Sequence, residues 1–180
     1  MRLFKEHTLG LIIDMQEKLL PHMSNPSSVK DNCIKLINGL NVFNIPIIVT
    51  QQYTKGLGQT DSEVNKATGN ISYIEKLSFS CYREAGFVKV LNKSGKRNVV
   101  IMGIEAHVCV LQTSLDLLYN NFNPIIVVDA IDSRKPEDKQ VALWRLRDVG
   151  CILTTYESIL FEICRQAGTD EFKALSKLIK

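Results

Sequence analysis

The stretch NVVIMGIEAHVCVLQTSLDLL, residues 98–118, joins a strand to a helix and decides the fold of the chain. Residues 98–103 are apolar nearly throughout, which is typical of a strand covered on both faces of a sheet. The chain then passes through Gly-Ile-Glu-Ala-His-Val-Cys into a predicted helix at 106–120. Cys109 lies in the first turn of that helix, just beyond the strand, where the acidity of a thiol can be altered.

The same alternation of short apolar runs and helical patterns continues along the rest of the chain. Strands are predicted at 9–13, 46–50, 72–75, 98–103, 124–129 and 151–155, and helices at about 27–43, 81–93, 106–120, 136–149, 156–167 and 170–179. Such alternation implies right-handed crossovers and a parallel sheet with helices on both faces. We therefore predict a single domain over 1–180 with an α/β fold. It is a three-layer α/β/α sandwich around a six-stranded parallel sheet, for which we take the doubly wound strand order 3-2-1-4-5-6.

The longest stretch without a clear period is QQYTKGLGQTDSEVNKATGN, residues 51–70. Loops of this length are uncommon in compact domains unless they carry function. We predict either a functional loop or a short element that the sequence pattern does not reveal.

The composition excludes several classes of protein. Of the 180 residues, 45% are apolar and 23% are charged, which is typical of a globular domain, and the net charge is only +3. Since no basic run is present, we expect no nucleic-acid partner. The apolar run at 9–13 is too short for a signal peptide, and no stretch is long enough to span a bilayer, so we expect no membrane partner.

The five cysteines are odd in number and widely spaced, with no C-x-x-C pair. This spacing argues against a disulfide framework and against a thiolate zinc site. The sequence therefore favours a cytoplasmic location.

Three reactive side chains are predicted to meet at one end of this sheet. In a sheet of this order, ligands bind outside the carboxyl ends of strands 1 and 4, where the winding reverses. Asp14 follows strand 1 directly, and Cys109 follows strand 4. Lys76 ends strand 3, two strands and roughly 10 Å away, a gap that a lysine side chain can largely cover. An acid, a base and a thiol are thus expected in one crevice.

These three groups suit attack on a carbonyl. The helix dipole and Lys76 are expected to lower the pKa of Cys109, and Asp14 to accept the thiol proton. Backbone N–H groups of the tight turn could bind an oxyanion. The chemistry predicted is a covalent thioester that water then hydrolyses. Glu105 would raise the thiol pKa, so its side chain is expected to point away or to pair with a cation.

Other interpretations remain open at this point. His107 lies two residues from Cys109, so the two side chains should not share a helix face, and a Cys–His pair would need His22 or His7. Asp14 taken alone could be a helix cap, and Lys76 a solvated surface residue.

The remaining cysteines are expected to be small buried hydrophobes. They are Cys33, Cys151, Cys164 and Cys81, of which the last could also line the pocket.

Several segments resemble the isochorismatase-like family of cysteine hydrolases, over nearly the whole chain. The segments are LIIDMQ (11–16), EKLSFS (75–80) and GIEAHVCV (103–110), together with VTQQYTKGLGQT (49–60) and VVDAIDSR (127–134), which are similar to the isochorismatase domain-containing proteins. The resemblance implies a six-stranded Rossmann-like fold and an Asp14–Lys76–Cys109 triad. It also implies a cis peptide bond between Ile104 and Glu105, with the amides of Glu105 and Cys109 facing one cavity as an oxyanion hole. Family members are often oligomers, so a homo-oligomer is expected.

The chain departs from the family's nicotinamidases, which bind a metal through an Asp and histidines after the second strand. Residues 51–60 contain neither residue type, and the first aspartate is Asp61. We therefore expect no metal or other cofactor. The function predicted is a metal-independent cysteine hydrolase acting on a small amide or ester. The alternative is a non-catalytic protein that keeps the fold and pocket for small-molecule binding or assembly.

Overall fold

In the computed structural model, which describes residues 2–179, a six-stranded sheet forms the centre of the molecule. All its neighbouring strands are parallel, and the predicted order 3-2-1-4-5-6 is confirmed. The strands are β1 (Thr8–Ile13), β2 (Ile47–Gln52), β3 (Tyr73–Lys76), β4 (Asn98–Ile104), β5 (Asn123–Asp132) and β6 (Ile152–Thr154). Each lies within three residues of its predicted bounds at either end.

The helices follow the predicted alternation with two additions. They are α1 (Pro26–Val42), α2 (Thr54–Leu57), α3 (Ser62–Ala67), α4 (Ala85–Ser94), α5 (Leu111–Tyr119), α6 (Pro136–Asp148), α7 (Tyr156–Cys164) and α8 (Asp170–Ile179). Single 3₁₀ turns lie at Lys5–His7, Leu20–His22 and Cys81–Arg83, and a π-helical turn at Ala106–Val110 leads into α5.

The two additions, α2 and α3, occupy the segment for which the sequence showed no period. Both are too short to display an apolar repeat. The Asp61 side chain caps α3 by accepting from the amides of Glu63 and Val64, a local signal that could have revealed this helix.

Two apolar layers cover the two faces of the sheet. Alternate residues of β1 point to opposite layers, with Ile12 on one side and Leu11 and Ile13 on the other. The first layer contains buried residues of α1, α7 and α8, and the second contains buried residues of α4, α5 and α6. Because β1 is buried along its whole length, its carboxyl end opens into the interior rather than onto the surface.

The register of the central strands brings their carboxyl ends together. Ile13 of β1 pairs with Gly103 of β4 and with Thr50 of β2, and Gln52 of β2 pairs with Lys76. The next residues along β1 and β4 therefore emerge side by side. Over residues 2–179, no helix is long and apolar enough to cross a membrane.

Gly103 permits this close approach. Its φ of 136° is one that side-chain-bearing residues rarely adopt, and a Cβ there would lie 2.7 Å from the Ile13 nitrogen and closer still to the Ile13 carbonyl oxygen. Both neighbours are backbone atoms of a central strand, so they cannot move aside cheaply.

Gly103→Ala should lower the free energy of unfolding on the order of 2–5 kcal/mol, because strain and overlap with β1 add. Gly95→Ala is the matched control: Gly95 also has a positive φ, but a Cβ there meets nothing within 4 Å. That variant should cost about 1 kcal/mol. Urea denaturation measures both, and equal losses would contradict the role given to the β1–β4 contact.

Candidate active site

Three side chains from three strand ends meet beneath a cavity. The Lys76 Nζ atom lies 2.7 Å from Asp14 Oδ2 and 3.5 Å from Cys109 Sγ. The side chains of Asp14 and Lys76 are fully buried, and Cys109 is 4% exposed. The lysine ammonium therefore bridges the carboxylate and the thiol, and Lys76 is not the solvated surface residue of the alternative interpretation.

Asp14 is oriented by the backbone turn after β1 and by a hydroxyl from β2. Its φ of 54° is left-handed, a conformation that Asp and Asn tolerate better than most residues. The Thr50 hydroxyl donates a hydrogen bond of 2.9 Å to Asp14 Oδ1. The other oxygen, Oδ2, is thus the one that faces Lys76. Thr50 was not predicted as a site residue from the sequence, although its place in β2 beside the end of β1 was a usable signal.

The Lys76 ammonium is also held by three oxygen acceptors. It lies 2.5 Å from Gln52 Oε1, and the Ser78 and Phe79 carbonyls accept from it at 3.3 and 3.2 Å. Gln16 in turn clamps the Gln52 backbone, accepting from its N–H at 2.7 Å and donating to its carbonyl at 2.9 Å. Gln52 is a second site residue that the sequence analysis missed.

The turn that carries Cys109 differs from the prediction. Over residues 2–179 there is no cis peptide bond, so the predicted cis bond between Ile104 and Glu105 is wrong. Glu105 instead adopts a left-handed conformation, with φ 58° and ψ 59°, and Ala106–Val110 form a π-helical turn. These two features redirect the chain sharply without a cis bond. The oxyanion hole from the amides of Glu105 and Cys109 stays a prediction and loses the backbone geometry on which it was based.

The charge state of the thiol also differs from expectation. Burial raises the pKa of Cys109 above its ordinary value, the Asp14 carboxylate raises it further, and Lys76 lowers it only in part. Burial tends to lower the pKa of Lys76, but the adjacent Asp14 carboxylate outweighs this and raises it. At rest the site is therefore a charged Asp14–Lys76 pair beside a neutral thiol. The predicted lowering of the thiol pKa is wrong because dehydration and a near carboxylate outweigh one cation.

A cavity of about 230 Å³ lies over the thiol. Its walls are mostly apolar and include Leu19, Leu57, Phe79 and Val108 beside Cys109. This volume is below the ~300–1,000 Å³ of pockets for drug-sized ligands, so the cavity fits a small molecule.

One further ion pair borders the cavity. Glu105 Oε1 lies 2.8 Å from Arg134 Nε, which confirms that Glu105 pairs with a cation. His107 lies on the other side of Glu105, with its Nδ1 atom 3.6 Å from Glu105 Oε2 and 2.9 Å from Ser133 Oγ. Among the described residues, no histidine is hydrogen-bonded to Cys109, so the alternative Cys–His pair gains no support.

All five cysteines are free and buried. Cys81 lies behind the site, with its sulfur 3.8 Å from the Thr50 hydroxyl, and burial raises its pKa to about 11. It is not among the residues that line the cavity, in keeping with a packing role. Across residues 2–179, no group of three or more His, Cys, Asp or Glu side chains is arranged to hold a metal ion.

The fold and the site together define a class: parallel α/β proteins with a buried Asp–Lys–Cys cluster at the carboxyl ends of the central strands. Residues 8–158 match the family profile described as the isochorismatase domain, and the chain belongs to the isochorismatase family.

Two curated relatives show how far the similarity extends. Isochorismatase domain-containing protein 2 of Danio rerio is 36% identical over 178 residues, which cover 99% of this chain and 89% of the relative. The secreted isochorismatase effector Isc1 of Phytophthora sojae is 33% identical over 183 residues, 99% of this chain and 87% of the relative.

Solved structures share the fold over nearly the full length. The MAR1 ribonuclease of Caenorhabditis elegans is 34% identical, with a TM-score of 0.93 over 99% of this chain and 92% of that one. YcaC of Pseudomonas aeruginosa, solved with hexane-2,5-diol and covalent acrylamide, is 26% identical with a TM-score of 0.92, over 98% and 91%. YcaC of Escherichia coli, described as an octameric hydrolase of unknown specificity, is also 26% identical, with a TM-score of 0.93 over 99% and 89%.

Asp14 and Lys76 shift the pKa of Cys109 in opposite directions, so replacing each should have an opposite effect on the reactivity of the thiol. Because the Asp14 carboxylate raises the pKa of Cys109, Asp14→Asn should lower that pKa and speed alkylation by iodoacetamide at pH 8. A change of one pKa unit alters the thiolate fraction about tenfold. Lys76→Met removes the cation that lowers the pKa and should slow the reaction by a similar factor. Asn also suits the left-handed backbone at position 14.

Peptide mapping after brief exposure measures the rate at Cys109, with the distant Cys151 as the internal control whose rate should not change. The pH dependence of that rate gives the pKa of Cys109, and a pKa in Asp14→Asn that is no lower than in the wild type would mean that the carboxylate does not raise the thiol pKa.

Proposed function

We propose that the protein is a metal-independent cysteine hydrolase that cleaves a small amide or ester through a thioester on Cys109. Membership of the isochorismatase family supports a hydrolase in general. The observation that carries the specific proposal is the contact of the Lys76 ammonium with both Asp14 and Cys109 beneath a mostly apolar cavity. In this proposal those three residues are the catalytic ones.

In the first step, the thiol is activated only as it reacts. The Cys109 sulfur attacks the substrate carbonyl carbon while Asp14 takes the thiol proton. Lys76 remains protonated and stabilises the developing thiolate. The carbonyl π bond breaks and its electrons move to oxygen, which gives a tetrahedral intermediate. A neutral resting thiol suits this scheme because the negative charge appears on sulfur only when an electrophile is present.

In the second step, the intermediate collapses and the enzyme is restored. Protonated Asp14 returns its proton to the leaving amine or alcohol as the carbon–nitrogen or carbon–oxygen bond breaks, which leaves the acyl group on Cys109. Asp14, again a carboxylate, then draws a proton from water, and the hydroxide oxygen attacks the thioester carbonyl. The carbon–sulfur bond breaks, the acid departs, and the thiolate recovers the proton from Asp14.

The oxyanion in both tetrahedral intermediates needs hydrogen-bond donors. The backbone amides of Cys109 and Glu105 stay our proposal for this role, now in a turn built by a left-handed Glu105 and not by a cis bond. Donors in a water-poor cavity are stronger than in bulk solvent, and the apolar walls formed by Leu19, Leu57 and Phe79 favour such a setting.

The relatives bear on this proposal to different degrees. In the Pseudomonas aeruginosa YcaC structure acrylamide, a small amide and an electrophile, is bound covalently, which fits a nucleophile in this fold. The ribonuclease named for the Caenorhabditis elegans relative is the competing activity. A phosphodiester carries a negative charge, whereas the cavity here is mostly apolar and its one arginine, Arg134, already pairs with Glu105. We therefore favour a carbonyl substrate.

The assembly and the location of the protein are part of the same proposal. A homo-oligomer is supported by the octamer described for Escherichia coli YcaC. A cytoplasmic location is supported by the five free cysteines, since reducing compartments keep thiols unpaired. One relative is a secreted effector, so the family as a whole is not confined to one compartment.

Turnover of a library of small amides and esters tests the catalytic assignment. Cys109→Ala should abolish hydrolysis and the acyl adduct seen by intact mass, and Asp14→Asn, assayed on protein that circular dichroism shows to be folded, should slow hydrolysis by roughly 10²–10⁴-fold. Cys151→Ala, which changes a buried cysteine away from the cavity, should turn over like the wild type. Hydrolysis that persists in a folded Cys109→Ala variant would exclude the thioester mechanism.

The absence of a metal from the mechanism is tested by exhaustive chelation. Residues 51–60 offer no histidine or carboxylate after β2, so EDTA should leave both turnover and the melting temperature unchanged. Activity that is lost on chelation and restored by zinc or another divalent ion would overturn the metal-free mechanism.

A further inference from the structure

We propose that Glu105 serves as the internal counter-ion of Arg134 and thereby restricts the Cys109 cavity to uncharged substrates. The inference rests on the proposed function and adds the substrate class: small neutral amides or esters with apolar groups, with carboxylate-bearing molecules excluded. Glu105 acts on specificity through Arg134 and takes no part with its side chain in the bond-breaking steps.

The first observation is the position of the arginine. Arg134 follows β5 and lines the cavity that contains Cys109, and its side chain is 59% exposed. A guanidinium at the wall of a small pocket is a strong site for a carboxylate, since it donates in a planar fork that matches two oxygens. Left alone, Arg134 would make this an anion-binding pocket.

The second observation is that the carboxylate position is already filled by the protein. Glu105 Oε1 lies 2.8 Å from Arg134 Nε, and the Glu105 side chain is buried, only 6% exposed. Glu105 comes directly after β4 and lies four residues before the nucleophile, so the turn that holds Cys109 also fixes its backbone at the cavity wall. A substrate carboxylate would have to compete with an anion built into the chain.

The other charges around the cavity are balanced in the same way. Lys76 pairs with Asp14 below the thiol. His107 lies behind Glu105, between Glu105 at 3.6 Å and Asp138 at 3.8 Å. No uncompensated cation therefore faces the cavity among the described residues. A substrate carboxylate would lose its hydration without gaining a charged partner, which is costly, whereas a neutral apolar molecule would not.

Stability alone does not account for a carboxylate at position 105. Glu105 Oε2 is buried and has no hydrogen-bond partner in the described part of the chain, and such an atom carries a desolvation cost. The residue also has a left-handed backbone, which is strained for a side chain of this size. An ion pair whose cation is exposed, as Arg134 is here, contributes little to stability. Control of the charge in the cavity gives this carboxylate a role.

The experiment compares the alkylation of Cys109 by iodoacetamide and by iodoacetate at pH 8.5. The two reagents are similar in size and differ by one negative charge. For each protein, the rate of Cys109 alkylation by iodoacetate is divided by the rate with iodoacetamide. This ratio is then divided by the same ratio for N-acetylcysteine, which removes the intrinsic difference in reactivity between the two reagents. The wild type should give a value well below one. Glu105→Gln, which keeps the shape of the side chain and frees Arg134, should raise the value roughly tenfold or more, since an unpaired cation at the wall of the same cavity attracts the anion.

Two further variants act as matched controls. Glu105→Gln combined with Arg134→Gln removes both charges and should return the value to near that of the wild type. Arg134→Gln alone changes an exposed side chain and leaves Glu105 unpaired, so it should lower the value below the wild type. The Arg134→Gln variant by itself tests the charge-selection role, even if Glu105→Gln fails to fold.

The outcomes separate the inference from the function on which it rests. Labelling of Cys109 with a rate ratio that does not change among the folded variants would overturn the charge-selection role and leave the cysteine mechanism intact. No labelling of Cys109 by either reagent would overturn the proposed cysteine chemistry, and the inference with it.

Discussion

The structure depends on a buried ion pair between Lys76 and Asp14. Both side chains are fully buried, and taking either charge out of water alone would cost several kcal/mol. The surrounding residues supply the hydrogen bonds that make the pair tolerable: the Thr50 hydroxyl to the carboxylate, and the Gln52 side chain and two loop carbonyls to the ammonium. Gln16 then holds Gln52 in place. The parallel register of β3, β2 and β1 brings these groups together at the carboxyl end of the sheet.

The same ion pair explains why Cys109 is a neutral thiol in the absence of substrate. Asp14 and burial both raise the pKa of Cys109, and Lys76 offsets them only in part. A thiol kept neutral in an apolar cavity is poorly reactive toward solvent electrophiles, while the acceptor of its proton lies beside it. The second ion pair, Glu105 with Arg134, lies on the wall of the cavity and is balanced in the same way. The charged side chains at this site therefore form two ion pairs, each without net charge.

Much of the fold and part of the site could be read from the sequence. Apolar runs identified all six strands, and their alternation with helices indicated a parallel sheet covered on both faces. The doubly wound order taken for that sheet is the one observed. Asp14 and Cys109 were found because each directly follows a central strand, and strand ends in such a sheet meet at one place. Lys76 was found by the same argument, helped by the reach of its side chain. Thr50 and Gln52 were missed because a polar residue inside a strand gives no sign of which group it will face.

The sequence by itself determined which residues reach the crevice, since strand periodicity and the right-handed crossover leave few ways to arrange the chain. Only the tertiary structure decided how those residues behave there. The turn before Cys109 is made by a left-handed Glu105 and a π-helical turn rather than by a cis bond. The thiol is neutral rather than acidic, because a pKa depends on the sum of burial and all nearby charges in three dimensions. Local sequence can name the groups, but distances and dehydration set their charge.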